Sequence, residues 1–135
     1  MTKFYCCVGL IRANTGYNDG MYSLPAGHVE ADESALQAAY REAQEEVAVK
    51  LPEGSLALVH TMYRATKSDA NSGTERVDMF FETRSWPHEP TNNEPQKCDE
   101  LLWCKLDALP DNVIGEVRQA LECITAGRPY SDYGF

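Results

Sequence analysis

Apolar side chains follow one another almost without interruption from Phe4 to Ile11, over the length of one strand. They stop at ANTGYNDG, whose Asn, Gly and Asp residues suit a tight loop. Tyr22 to Leu24 reads as a short extended stretch closed by Pro25. The segment Glu33 to Leu51 contains neither Gly nor Pro, and Leu36, Ala39, Tyr40, Ala43 and Val47 fall on one stripe of a 3.6-residue period. This predicts the longest helix of the chain, packed on a sheet through that stripe. Leu56 to Ala65 and Val77 to Thr83 are rich in β-branched, aromatic and aliphatic residues, and the polar TKSDANSG between them predicts a hairpin. SWPHEPTNNEP holds three prolines and predicts a surface loop, after which Leu101 to Lys105 resumes an extended pattern with Trp103 assigned to the core. From Asn112, read as an N-cap, Val113, Val117, Leu121 and Ile124 mark an amphipathic helix ended by Gly127 and Pro129.

Two helices among about five short strands, hairpins included, predict an α/β or α+β sandwich around a mixed sheet rather than a purely parallel one. The 135 residues fit one domain with a single core, and 43% apolar with 24% charged residues is a globular composition. A formal charge of −9 has the wrong sign for gripping a nucleic-acid backbone or an anionic membrane, so neither partner is expected. No apolar run approaches the ~20 residues of a membrane span, and MTKFYCCVGLIR lacks the pattern of a secretory signal. The cytoplasm is the expected location. Cys6, Cys7, Cys98, Cys104 and Cys123 form no C-x-x-C pair and read as small buried hydrophobes.

Chemistry concentrates on the first helix. Glu42, Glu45 and Glu46 stand at i, i+3 and i+4, so three carboxylates converge on one patch, about 120° from the apolar stripe. Ala35 and Ala38 are too small to obstruct approach to it. Such like-charge pairs cost about 0.2–0.5 kcal/mol each on an isolated helix, and only Arg41 is placed to offset them. Between Gly27 and Glu53 lie seven acidic residues against two basic ones. Hard oxygen ligands on a rigid scaffold suit Mg²⁺ or Mn²⁺, which would bridge carboxylates to phosphate oxygens. The alternative for such a patch is a merely solvated acidic face.

Upstream, LPAGHVEADE sets a Pro and Gly turn just before this helix. The whole string GHVEADESALQAAYREAQEEVAV resembles the Nudix box: Gly27, five residues, Glu33, seven residues, Arg41, Glu42, a small apolar position at Ala43, one residue, Glu45 and Glu46. RANTGYNDGMYSLPAGH, NNEPQKCDELLWCKLDALPDN and the closing PYSDYGF are similar to the MutT-like branch of that family. The resemblance covers nearly the whole chain. It implies one Nudix domain over 1–135, with the box at about 27–49, on an α/β/α sandwich around a mixed β-sheet. It also implies metal-dependent hydrolysis of a diphosphate linkage in a nucleoside diphosphate-type small molecule, here a nucleoside triphosphate giving monophosphate and pyrophosphate. Glu42, Glu45 and Glu46, with the carbonyl of Ala26, would hold Mg²⁺ (or Mn²⁺), and Arg41 and Glu33 would organise the loop and helix. Glu100 and Glu94 are the candidate general bases. A non-catalytic nucleotide- or protein-binding module on the same fold is the alternative reading.

Substrate recognition needs cations for phosphate and aromatic surface for a base. Arg12, Arg64 and Arg76 are candidates for the first, with surface salt bridges as their alternative, and Tyr17, Tyr22, Phe80 and Trp86 for the second, with ordinary core packing as the favoured alternative for each. Tyr130, Tyr133 and Phe135 are assigned either to the sheet or to a pocket wall. Three departures from the family pattern stand out. Ala48 occupies a position usually held by Gly, so the helix is expected to run past its usual stop. Ala26 replaces a common Gly, and little sequence precedes the first strand. The sheet would then lack an edge strand or take one from a partner copy, as a homodimer.

Overall fold

The computed structural model describes residues 6–16, 18–66 and 74–135. Six strands and two helices run in the order β1 (Cys6–Arg12), β2 (Tyr22–Ser23), α1 (Ala35–Val47), β3 (Leu56–Thr66), β4 (Thr74–Thr83), β5 (Cys98–Lys105), α2 (Gly115–Thr125) and β6 (Tyr130–Tyr133). They form an α/β fold in which a mixed sheet is flanked by helices. One three-stranded sheet, ordered β2-β1-β5, is antiparallel. The other, ordered β4-β3-β6, is mixed: β4 runs antiparallel to β3 and β6 parallel to it. The predicted Phe4 and Tyr5 at the start of β1 lie outside the described residues, as do residues 67–73, which join β3 to β4.

The core forms where the antiparallel sheet meets α2. Tyr22, Val113, Ile114, Val117 and Leu121 are buried together, with Ile11, Leu102, Cys104 and Ile124 packed against them. Tyr22 is fully buried and its hydroxyl donates to the Leu102 carbonyl at 3.1 Å. Gly9 of β1 lies against the Tyr22 ring so closely that a Cβ at position 9 would overlap it. This tyrosine is therefore packed as a core residue, the alternative to base binding that the sequence left open for it.

Several boundaries differ from expectation, each for a local reason. α1 starts behind Ser34, whose hydroxyl accepts from Gln37 N–H at 3.1 Å while the Gln37 side chain accepts from Ser34 N–H at 2.8 Å. That reciprocal box satisfies two of the helix's open donors. The helix does not run on to Leu51. It ends at Val47, because Ala48 adopts the left-handed conformation (φ 56°) that Gly usually supplies. On its buried side are Ala38 and Val47, whereas Leu36 is 41% exposed. β5 begins at Cys98, three residues earlier than its apolar run, because Cys98 pairs with Arg12 of β1 across a register shift that takes in the exposed Asp99 and Glu100. α2 begins behind Ile114 with no side-chain cap. Asn112 instead ties two loops: its Nδ2 donates to Gly20 O at 3.0 Å and its carbonyl accepts from Tyr22 N–H at 2.9 Å.

The C-terminal segment joins the mixed sheet. Tyr130 to Tyr133 pair with Thr61 to Arg64 of β3, and Phe135 stacks on Tyr63 with centroids 5.7 Å apart. Behind this pair His60, almost wholly buried, bonds Arg128 O through Nδ1 at 2.7 Å and Ser131 Oγ through Nε2 at 2.8 Å. Trp103 is not a core residue. At 46% exposed it lies on the outer face of β5, tilted against Trp86 of the proline-rich loop at 5.7 Å. Cys98 and Cys123 are buried free thiols and Cys104 is a half-buried one. Among the described residues no helix is long and apolar enough to cross a membrane.

Candidate active site on helix α1

Arg41 is the hub of the site. Its Nε and Nη2 hold both oxygens of Glu33 at 2.9 and 2.8 Å, Nη1 reaches Glu42 at 2.8 Å and Glu45 at 3.0 Å, and Nη2 donates to the His28 carbonyl at 3.1 Å. A planar guanidinium can serve this many acceptors at once because its donors are fixed in a fork. Glu33 is held down at about 2, chiefly by its bonds to Arg41 and by the Glu30 N–H. The pair anchors the turn at 27–33 to the middle of α1.

The three helical carboxylates differ in environment. Glu45 is half-exposed, Glu42 mostly covered, and Glu46 the most deeply set. Burial pushes Glu46 up to about 8, against one stabilising hydrogen bond from the Ala26 N–H at 2.9 Å and with repulsion from Glu42 and Glu94 added. Burial also raises Glu42, opposed by Arg41 and reinforced by Glu45 and Glu94. Gly27 lies directly over the Glu42 carboxylate, where a Cβ would collide with it. Hence the Pro25–Gly27 turn approaches the helix because residue 27 has no side chain.

Among the described residues, no three His, Cys, Asp or Glu side chains surround a common point able to hold a metal ion. The reason is visible in the hydrogen bonds, since Glu42 and Glu45 turn to Arg41 while Glu46 turns to Ala26. The donor set nevertheless fits a hard divalent cation. Two partly desolvated carboxylates with raised pKa values lie on one rigid helix, and neutralising them is what such a cation does. The Ala26 backbone meets Glu46 through its N–H.

The remaining candidates are spread over the molecule. Glu94 is close enough for its charge to act on both Glu42 and Glu46, whereas Glu100 is exposed on β5. Arg12 acts on Glu46 with the opposite sign and donates to Thr15 Oγ1 at 3.2 Å. Arg64 belongs to an ion-pair network of β3, β4 and α2, with Asp78 at 2.6 Å and Glu116 at 3.7 Å. Arg76 lies opposite it in the β3–β4 ladder. Phe80 is half-buried and tilted on the His60 ring, and Tyr17 lies outside the described residues. Sequence reasoning missed Asn93, whose N–H meets Glu46 O at 3.1 Å and whose Nδ2 meets Glu45 O at 3.0 Å. The Asn pair ahead of Pro95 is a loop signal, but nothing in it says which helix end it caps.

The NUDIX domain model matches residues 8–123, and the chain belongs to that family. Solved structures agree. The chain is 28% identical to a MutT NUDIX hydrolase from Burkholderia pseudomallei, over 85% of this chain and 84% of that one, with a TM-score of 0.72. It shares its fold with a MutT protein from Methanosarcina mazei Go1 (19% identity, 88% and 82% covered, TM-score 0.72). The same holds for the E. coli dihydroneopterin triphosphate pyrophosphohydrolase (24% identity, 85% and 82% covered, TM-score 0.63).

Proposed function

We propose that the chain is a Mg²⁺-dependent pyrophosphohydrolase that cleaves a diphosphate linkage in a nucleotide-type substrate, converting a nucleoside triphosphate to monophosphate and pyrophosphate. The observation that carries this reading is the set of three glutamates on α1, two of them partly desolvated, held to the preceding turn by Arg41, Glu33 and the Ala26 N–H. The 28% identical B. pseudomallei relative bears the name of a MutT NUDIX hydrolase, which supports the same class.

Glu42, Glu45 and Glu46 would hold the cation, with Mn²⁺ as a substitute and the Ala26 carbonyl as a further oxygen. When bound, the cation neutralises pyrophosphate charge and acidifies an attacking water. The protein's own part is to keep the glutamates in place. Arg41 fixes Glu42 and Glu45 from one side, and Glu33 prevents the guanidinium from swinging away. Glu94, in reach of the same patch, is the proton acceptor favoured over Glu100. Arg12, on the Glu46 side, is the cation favoured for a non-bridging phosphate oxygen.

The test is incubation of the full chain with Mg²⁺ and ordinary and oxidised nucleoside triphosphates, sugar nucleotides and dinucleoside polyphosphates, with phosphate and pyrophosphate release followed. Pyrophosphate from one triphosphate, lost in Glu46→Gln, is the expected result. Nucleotide that binds with Mg²⁺ and is recovered intact would replace this reading with that of a binding module.

A further inference from the structure

The last turn of α1 leaves open carbonyls, and the helix carries no basic residue there to offset them. One short piece of the proline-rich loop meets three in succession. Thr91 N–H donates to Val47 O at 2.9 Å, Asn93 N–H to Glu46 O at 3.1 Å and Asn93 Nδ2 to Glu45 O at 3.0 Å. Asn93 thus grips two consecutive carbonyls, one with its backbone and one with its side chain. A single bond leaves a hinge, whereas two from one residue fix orientation as well as position.

The chain beyond Asn93 is equally constrained. The Asn92 side chain accepts from Glu94 N–H at 3.2 Å and donates to Cys98 O at 2.7 Å. The Glu94 carbonyl accepts from Lys97 and Cys98 N–H at 2.9 and 3.1 Å. Residues 92–98 are therefore a knot tied to β5 at one end and to α1 at the other, and Glu94 sits between the two ties.

We propose that Asn93 is a positioning residue: it docks the knot onto the turn of α1 that carries Glu45 and Glu46, and so sets where Glu94 stands relative to Glu42 and Glu46. The consequence for cation binding rests on the reading of those glutamates given above, but the docking itself does not. Removing the Asn93 amide leaves Glu94 present but takes away one of the three bonds that hold the loop on α1, so that the knot is less closely fixed against the helix.

The test compares the full-length wild type, Asn93→Ala, Glu94→Gln and the double variant. Mn²⁺ is titrated and free ion read by electron paramagnetic resonance. Each single change is expected to weaken Mn²⁺ binding by about tenfold, the scale of a lost supporting contact, and the double variant no more than Glu94→Gln alone. Additive losses would show that Asn93 acts independently of Glu94 and would overturn the proposal. Hydrogen exchange without metal gives a second readout. Amides of 91–98 should exchange at least about tenfold faster in Asn93→Ala while β3 and α2 keep their rates, and unchanged loop rates would overturn the docking. Absence of Mn²⁺ binding by the wild type would overturn the cation reading, leaving the exchange rates to decide the docking. If the Ala variant does not fold, Asn93→Asp keeps the shape and removes the donor.

Discussion

At the scale of single residues, burial of a carboxylate and pairing of a carboxylate act in opposite directions within one turn of the same helix. Glu46 sits near 8 against an ordinary value of 4.5. Between those values the folded protein keeps a proton that the unfolded chain has released, so stability falls as pH rises from about 4.5 to about 8. Glu33, near 2, has the reverse sign: its contribution is present above about 4.5 and is lost as pH falls toward 2. Thermal melting of the metal-free protein from pH 4.5 to 8.5 should therefore show a decline that Glu46→Gln flattens. Saturating Mg²⁺ should flatten it in the wild type. In activity Glu46→Gln has the other effect, a loss of about 10²-fold or more in kcat, as when a preorganised electrostatic group is removed. A kcat near that of the wild type would remove Glu46 from the cation site. Ser131→Ala offers a separate check away from the site. It leaves the buried Nε2 of His60 without its partner, and should cost about 1–3 kcal/mol in denaturant unfolding.

At the scale of elements, Ala48 is the informative position. Holding an alanine in the left-handed region costs about 1–2 kcal/mol, and the helix stops there nonetheless. Val49 N–H on Ala43 O, Ala48 N–H on Gln44 O and the three loop donors on residues 45–47 together outweigh that cost. Ala48→Gly should accordingly raise unfolding stability by about 1 kcal/mol, and an unchanged or lower melting temperature would contradict this account. The same position shows where sequence reading stops. The glutamate spacing and the Arg41 partnership are local to one helix, so the period alone makes them legible. Helix ends are decided by what arrives from elsewhere, as with the loop at Thr91 and Asn93, whose contact with α1 spans more than 40 residues of chain. Ser34 and Gln37 are an exception, since their capping box is written three residues apart. Tyr22 and Trp103 illustrate the limit for aromatics, because their composition is the same whether the ring is packed over Gly9 or left on an outer face.

At the scale of the whole molecule, α2 is the element both sheets share. It closes the apolar core over Tyr22 and also packs on β3 and β6. The strand order was not legible, because β6 reads as four mixed polar and aromatic residues and finds its place only beside β3. That pairing orders synthesis as well as structure. β3 is complete by residue 66, yet its neighbour on one side is residues 130–133, so a chain emerging from the ribosome must carry β3 with that side unpaired until the last strand appears. His60 waits with it, since Arg128 O and Ser131 Oγ are both late partners. Closure of the mixed sheet thus waits for β6, and a ring stack at Tyr63 and Phe135 and a buried imidazole are completed with it.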